Sequence, residues 1–315
     1  VSGATDSRYS VKNVADSGVY SVKVTVLLDG QEASTFSGTA AVAITPKSLT
    51  ITADNKELTY GQAVPDGFYT CTPAGFAGSE TRSVLSGGTV GSSYLPGDAA
   101  NGLASTYPIT ASGFTAANYT ISYQPGTLTV GAKNGRTGAG MSTTLDAGSY
   151  PYTGSAIQPA VTVLDGATPL TLNTDYTVVY SNNLDVGTAK ATVTFKGNYT
   201  DSVELYFTIT KAEFSAAVIL QGWTYGETKN APALSTNPSG GAVTYYYYAD
   251  GQAAADAVQT QPTAAGSYNV YAVVAATGNY QKVTTQPTAF AVARRSITLT
   301  AADGRWEYDG NSHSN

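Results

Sequence analysis

Short runs in which apolar and polar residues alternate make up most of this chain. In residues 22–26, three valines point to one side of an extended chain, and Lys23 and Thr25 point to the other. A period of two residues, with threonine on the polar side, is typical of a β-strand that has one buried face. The pattern therefore predicts strands throughout, with further runs of this kind at 49–53, 161–163, 176–178, 192–195 and 297–299.

Turn-forming pairs separate these runs, and helical patterns are almost absent. Aspartate followed by glycine suits a tight hairpin turn, because both residues tolerate positive φ. Such pairs stand at 29–30, 66–67, 165–166 and 250–251. The most helical segment, residues 253–258, is short and rich in alanine, so we expect a loop with at most one helical turn.

Three sequence landmarks recur in one order about every 80 residues, which indicates copies of a single fold unit. In the opening landmark, Trp223 and Trp306 take the place that Leu58 and Tyr150 hold in the other copies. Exchange among large apolar residues predicts that this position packs in a core. The opening landmark lies at 58–61, 150–154, 223–226 and 306–310; a late strand begins at 18, 105, 187 and 266; and a closing strand lies at 42–44, 128–130, 207–209 and 290–292.

About seven short strands in each unit predict two packed sheets. We expect an all-β chain that forms a tandem array of immunoglobulin-like β-sandwich domains. Since the chain begins and ends inside a repeat, we expect export and anchoring segments to lie outside it. The predicted segments are a partial unit with late strands only at 1–46, complete domains at 47–131, 132–212 and 213–294, and a partial unit with the first strand only at 295–315.

Residues 48–130 resemble the MBG-type repeat of bacterial surface proteins. The matching segments are Leu-Thr-Ile-Thr-Ala-Asp-Asn-Lys at 49–56, Leu-Thr-Tyr-Gly at 58–61, Ser-Thr-Tyr-Pro-Ile-Thr at 105–110 and Asn-Tyr-Thr-Ile at 118–121. Residues 150–211 are similar to a related Ig-like surface repeat, and the next unit shares Thr-Tyr-Gly at 224–226 and Gly-Asn-Tyr at 278–280. The resemblance implies a fold unit used in long exported adhesins and in the stalks of larger surface proteins; it does not imply an activity.

The composition argues against several classes of function. A net charge of −6 disfavours nucleic-acid binding, which needs clustered lysine and arginine. Cys71 is the only cysteine, so no intrachain disulfide is possible, and we expect it to be a small apolar strand residue. As a nucleophile it would need a base, and the one histidine is His313. No apolar run approaches the length of a membrane span, so we expect no membrane insertion of this segment.

The acidic residues offer no obvious site for catalysis or metal binding. The densest group, Asp303, Glu307 and Asp309, lacks a recognisable spacing of calcium ligands, so we expect solvated charges. No enzyme, cofactor or metal is therefore predicted. An open alternative is the lysine–asparagine cross-link of some bacterial Ig-like domains, with Lys190, Lys196, Asn198 and Glu204 as its conceivable members.

Four consecutive tyrosines, Tyr245, Tyr246, Tyr247 and Tyr248, are the candidate ligand-contact residues. Exposed aromatic rings could stack on sugars. A strand would instead place two rings in the core and two at the surface, with their hydroxyls in water. We favour the strand, because the run ends at the predicted turn at 250–251.

The sequence as a whole predicts a non-catalytic stalk or spacer of an exported bacterial surface protein, located at the extracellular cell surface and presenting a functional head domain. Its partners would be neighbouring repeats of the same chain, because the short junctions let them touch. The alternative is an adhesin module that binds host glycan or mucin. An exposed aromatic groove would favour the adhesin, whereas smooth threonine-rich faces would favour the stalk.

Overall fold

The computed structural model describes residues 10–301 and 303–313, and these residues are almost entirely strands and their connections. Residues 1–9, 302 and 314–315 of the two predicted partial units lie outside the described residues. The helices in the described ranges are three single 3₁₀ turns at Val14–Asp16, Arg82–Val84 and Ala254–Asp256. The last of these confirms the single helical turn expected at 253–258. None of the helices described is long and apolar enough to cross a bilayer.

The strands are numbered here in chain order. Those up to residue 131 are β1 (Gly18–Leu28), β2 (Gln31–Val42), β3 (Lys47–Ala53), β4 (Lys56–Thr59), β5 (Cys71–Ala74), β6 (Ser86–Ser92), β7 (Thr106–Thr115), β8 (Tyr119–Gln124) and β9 (Gly126–Gly131). Those up to residue 210 are β10 (Lys133–Asn134), β11 (Met141–Leu145), β12 (Ser149–Pro151), β13 (Val161–Asp165), β14 (Thr168–Pro169), β15 (Tyr176–Ser181), β16 (Gly187–Phe195), β17 (Tyr199–Thr200) and β18 (Ser202–Thr210). The remainder are β19 (Val218–Ile219), β20 (Trp223–Thr224), β21 (Ala233–Leu234), β22 (Val243–Ala249), β23 (Gly266–Val274), β24 (Val283–Thr284) and β25 (Thr288–Ala293).

The chain divides into two compact units. The first contains residues 1–142, 163–177 and 193–203, and the second contains residues 143–162, 178–192 and 204–315. The division into five segments made from the sequence stays a prediction.

The first unit begins with a long antiparallel hairpin of β1 and β2, paired from Gly18 with Val42 to Leu28 with Gln31. Asp29 and Gly30 form the turn with φ of 52° and 79°. Positive φ at both central residues matches the right-handed twist of the strands, and it confirms the tight turn predicted here. Within residues 10–301 and 303–313 nothing covers the apolar face of β1, whose three central valines are 46% to 60% exposed.

Residues 47–131, all of which the structure describes, hold seven strands in two facing sheets. One sheet has the order β5-β3-β8 and the other the order β4-β9-β7-β6. The alternating residues of β3 and β7 point between the sheets, so that Leu49, Ile51 and Ile109 are fully buried. This is the predicted sandwich, in which the inner faces of two sheets make one small core.

The chain crosses from the first sheet to the second between β3 and β4. Both strands are parallel to late strands, β3 to β8 and β4 to β9, as in an immunoglobulin-like first strand that switches sheets. Asp54 at the crossing accepts hydrogen bonds from the hydroxyls of Thr70 and Thr72, the latter at 2.8 Å. Asn55 accepts the N–H of Thr127 at 2.8 Å. The two threonine hydroxyl bonds lower the pKa of Asp54, because they favour its charged form. Together with the Asn55 bond they hold the chain in place where it crosses between the sheets.

The first unit also contains two short pairings outside this sandwich. Strand β10 pairs in parallel with β17, and β13 pairs antiparallel with β14. Lys133 on β10 makes an ion pair with Asp165 on β13, 2.5 Å apart. Asp165 also accepts a hydrogen bond from the hydroxyl of Tyr199 at 3.2 Å.

The second unit has two four-stranded paths with separate cores. The strand order β12-β18-β16-β15 surrounds buried Ala189, Phe207 and Ile209, and Tyr150 packs against them. The order β20-β25-β23-β22, with β24 added beside β23, covers a core that includes Val270. Period-two burial in β16 and β23 is the feature that the alternating sequence predicted.

Two predictions about local structure are wrong. No strand forms at 297–299, and Ile297 and Leu299 are 84% and 94% exposed, because in the described residues 294–301 and 303–313 no strand forms to pair with this run. At 66–67, 165–166 and 250–251 only the glycine has positive φ, so the expected turn with positive φ at both residues of the pair does not form there, although Gly166 still lies in the tight turn between β13 and β14. After Gly251 the chain instead makes a long connection from β22 to β23.

Candidate ligand surface on the tyrosine strand

Strand β22 carries the four consecutive tyrosines and lies at the edge of its sheet. It pairs antiparallel with β23, so alternate tyrosines project to opposite faces. The cross-strand partners are Ala272 for Tyr245, Tyr271 for Tyr246, Val270 for Tyr247 and Asn269 for Tyr248.

Tyr245 and Tyr247 lie on the inner face. Tyr247 is 4% exposed and packs edge-on against Phe290, with ring centroids 6.1 Å apart. Tyr245 is half-buried and packs against the same core. Burial raises the pKa of both phenols, because it disfavours the charged form. These two rings therefore pack against the core, and Tyr247 also borders the groove beside the strand.

Tyr246 and Tyr248 lie on the outer face, where both are half-buried. Tyr246 stacks on Tyr271 with centroids 5.2 Å apart and an interplanar angle of 12°. Tyr248 is tilted against the same ring at 6.4 Å. The three rings cover part of one another and leave their remaining surface to solvent. Their role as ligand contacts stays a prediction.

A shallow groove of about 250 Å³ borders this strand. Val258 closes the strand edge, since its N–H donates to Tyr247 at 2.9 Å and its carbonyl accepts the N–H of Tyr247 at 2.7 Å. Tyr248, Gln252 and Asp256 contribute a ring and polar groups to the lining. A ring beside carboxylate and amide groups can contact a sugar through stacking and hydrogen bonds.

The other residues singled out for chemistry have structural contacts. Cys71 lies on β5, as expected of a small apolar strand residue; it is buried there, and the guanidinium of Arg82 donates to its carbonyl oxygen at 2.7 Å. His313 lies 2.9 Å from a carboxylate oxygen of Asp309. Within residues 10–301 and 303–313, no cluster of three or more His, Cys, Asp or Glu side chains is arranged to hold a metal ion.

The lysine–asparagine cross-link finds no support in the surroundings of Lys190 and Asn198, and its alternative with Lys196 stays a prediction. Lys190 makes an ion pair with Glu204 at 2.7 Å, with the side chains 33% and 47% exposed. Cross-linking would need a lysine that burial keeps uncharged, whereas this ion pair raises the pKa of Lys190. Asn198 uses its side-chain oxygen to accept the N–H of Ala104 at 2.9 Å.

The large apolar residue of the opening landmark packs in a core, as predicted, in three of the four copies. Leu58 and Trp223 are buried, and Trp223 stacks on Phe290 at 5.5 Å. Tyr150 packs edge-on against a core phenylalanine at 5.7 Å. The prediction is wrong for Trp306, which is 49% exposed and stacks on His313, because the surrounding residues form no sheet.

Sequence reasoning missed the asparagines that begin the recurrent Asn-Tyr pairs at 118–119, 198–199 and 279–280. In the structure, each asparagine side chain accepts a hydrogen bond from a backbone N–H about 100 residues earlier in the chain. Their recurrence about every 80 residues was the available signal.

These sheets and cores define an all-β, tandem array of immunoglobulin-like β-sandwich domains. Within it, residues 49–129 match the MBG domain family (YGX type), which confirms the resemblance seen in the sequence. MBG domains occur in surface proteins and are in general non-enzymatic, so this part of the chain fits a repeat domain of a surface protein.

The solved structures that match the chain include one of low similarity. The chain matches the crystal structure of Drosophila N-cadherin EC1-4 at 11% sequence identity, over 90% of this chain and 86% of that chain, with a TM-score of 0.23. No match was found among curated proteins.

Proposed function

We propose that this chain is a non-catalytic stalk or spacer segment of an exported bacterial surface protein and that it presents a functional head domain outside the cell. The observation that carries the proposal is the use of the tyrosine strand within the fold. Tyr247 and Tyr245 pack in the core, and Tyr246 is stacked on its cross-strand neighbour. The most suggestive binding feature of the sequence thus has a packing role.

The MBG match supports the same proposal, because such domains occur in surface proteins. Successive small sandwiches resist load through their ladder hydrogen bonds, and each one folds largely through contacts with itself and its neighbours. An array of this kind needs no cofactor or substrate to separate a head domain from the cell wall.

An adhesin module for host glycan or mucin is the second candidate. It is favoured by the outer-face rings of Tyr246, Tyr248 and Tyr271, and by the shallow groove beside them. Partly exposed rings next to polar side chains are a plausible sugar surface in chemical terms.

Binding and stability measurements on the full chain separate the two functions. For a stalk, we expect no signal on a glycan array or with immobilised mucin. Tyr247→Ala should destabilise its domain by about 3–5 kcal/mol in urea unfolding, because a buried aromatic ring is lost. Tyr246→Ala and Tyr248→Ala should be far milder, since both rings are partly in water.

The adhesin would be established by a different result. If the wild-type chain binds a glycan, and if Tyr246→Ala with Tyr248→Ala abolishes that binding at an unchanged melting temperature, the stalk proposal fails for this domain. Tyr206→Ala, at an exposed tyrosine on another sheet, is the matched control for nonspecific loss of an aromatic surface.

A further inference from the structure

The recurrent Asn-Tyr pairs occupy equivalent places in three successive repeats. In each, the backbone carbonyl oxygen of the asparagine accepts a hydrogen bond from a residue at the start of the same repeat or immediately before it. The donor is a backbone N–H in every case: Lys47 donates to Asn118 at 3.0 Å, Lys133 donates to Asn198 at 2.9 Å, and Ala212 donates to Asn279 at 2.9 Å. Any residue type can make this backbone contact, so it does not explain why asparagine recurs.

The asparagine side chains explain the recurrence, because each one reaches the preceding repeat. Their Oδ1 atoms accept the N–H of a residue shortly before a late strand of that repeat. The pairs are Val14 with Asn118 at 3.0 Å, Ala104 with Asn198 at 2.9 Å, and Val186 with Asn279 at 3.0 Å.

A carboxamide can accept and donate at once, and two of the three sites use both functions. The Nδ2 of Asn279 donates to Asp185 at 2.9 Å, and the Nδ2 of Asn118 donates to Asn13 at 3.2 Å. Aspartate would lack the donor, and alanine would lack both groups. Asparagine at these positions therefore suits a contact between repeats.

The tyrosine of each later pair also contacts the preceding repeat. Tyr199 lies edge-on to Tyr60, with centroids 5.4 Å apart and an angle of 74°. Tyr280 lies edge-on to Tyr152 at 5.5 Å and 78°. Both geometries fall in the range that aromatic pairs prefer. Tyr60 and Tyr152 are the tyrosines of the opening landmark, so the same two landmarks meet at both junctions.

Tyr225 occupies the corresponding place in the third repeat. The N–H groups of all three opening tyrosines donate to the end of a closing strand: Tyr60 to Gly131, Tyr152 to Thr210 and Tyr225 to Ala293, at 2.8 to 2.9 Å. Among the residues that the structure describes, no aromatic ring packs on Tyr225, which is 53% exposed. It is a built-in control for the tyrosine contact.

We propose that the Asn-Tyr pair of each repeat is a latch that fastens it to the preceding repeat. The asparagine carboxamide binds the backbone before a late strand, and in the two later pairs the tyrosine ring also packs against the opening tyrosine of that repeat. The partner surface is thus a neighbouring repeat of the same type. The biological role of the latch, to limit motion between units of a stalk, rests on the proposed function, whereas its existence does not.

Amide hydrogen exchange of the full chain, followed by NMR, tests the latch at single residues. Asn279→Ala should accelerate exchange of the Val186 amide by about 5- to 30-fold, as expected when one hydrogen bond and its local protection are lost. Tyr152→Ala should accelerate the same amide, because the latch loses its aromatic contact. Tyr225→Ala should leave it unchanged.

Asn55→Ala is the matched control for asparagine removal, because Asn55 holds the Thr127 amide within one repeat. It should accelerate Thr127 and leave Ala104 and Val186 as they are. Should Asn279→Ala fail to fold, Asn198→Ala with the Ala104 amide decides the question at the other junction. The latch would be overturned if Val186 exchanged at the same rate in Asn279→Ala, or Ala104 in Asn198→Ala, as in the wild-type chain. It would also be overturned if Asn55→Ala accelerated Ala104 and Val186 as much as these variants do. Glycan binding by the chain would refute the stalk without altering this readout.

Discussion

The β1–β2 hairpin and the sandwich of residues 47–131 share a sequence pattern but differ in burial. In β1, the valines at 22, 24 and 26 alternate with polar residues, as Leu49, Ile51 and Ala53 do in β3. The valines are 46% to 60% exposed, whereas the three β3 residues are at most 2% exposed. Strand β3 has a hydrogen-bonded neighbour on each side and β1 has one, but backbone pairing by itself covers neither face of a sheet.

The difference lies in the second sheet. Strand β3 faces β7 and β9 across a core, while among the described residues β1 pairs with β2 alone in a two-stranded sheet. Fully burying an aliphatic side chain contributes about 1.5–3 kcal/mol, and an isolated two-stranded hairpin is marginally stable in water. The comparison indicates that alternation specifies a face, and that stability comes from what covers that face.

Core truncation should give the largest contrast between the two regions. We expect Ile51→Ala to lower the free energy of unfolding of the sandwich by about 2–5 kcal/mol, because it leaves a cavity in a fully buried site. Val24→Ala removes a side chain that is 51% exposed and should change stability by no more than about 0.5 kcal/mol. Urea unfolding followed by hydrogen exchange of β3 and β1 amides measures both. Similar losses in the two variants would show that the hairpin valines are covered in solution.

Turn substitution should give an intermediate effect that is confined to the hairpin. Gly30→Ala places a side chain at φ 79°, which should cost about 1–2 kcal/mol and speed the exchange of β1 and β2 amides. Gly18→Ala is the matched control, since a Cβ at that position meets nothing within 4 Å and its φ is not positive. The β3 amides should stay protected in both variants. Loss of β3 protection in Gly30→Ala would mean that the hairpin supports the sandwich.

Acidification should have the smallest effect and should act on the sandwich corner. The hydroxyls of Thr70 and Thr72 hold the pKa of Asp54 below its ordinary value. The carboxylate therefore stabilises the folded state above its unfolded pKa of about 4, and this contribution is lost as the pH falls through the folded pKa. Unfolding of the sandwich measured from pH 7 to pH 2 should show a weaker pH dependence in Asp54→Asn. An identical pH profile in wild type and variant would refute the assignment of this pH dependence to Asp54.

Much of the fold and part of the candidate site could be predicted from the sequence. Alternation located the strands, recurrence located the fold unit, and the four tyrosines divide between two faces as a strand requires. The motifs at 49–61 and 105–121 also indicated the resemblance to the MBG domain, which the family match confirms. These features depend on residues close together in the chain, so a local pattern is enough to determine them.

Only the tertiary structure decided which apolar faces are covered and which landmark residues contact another segment. It left Leu299 and Trp306 exposed, stacked Tyr246 on a cross-strand tyrosine, and brought Asn279 to Val186. A local pattern states that a residue is apolar, aromatic or able to accept a hydrogen bond. Burial and pairing depend on segments that lie tens of residues away, and their free energy is realised only when folding brings the two surfaces together.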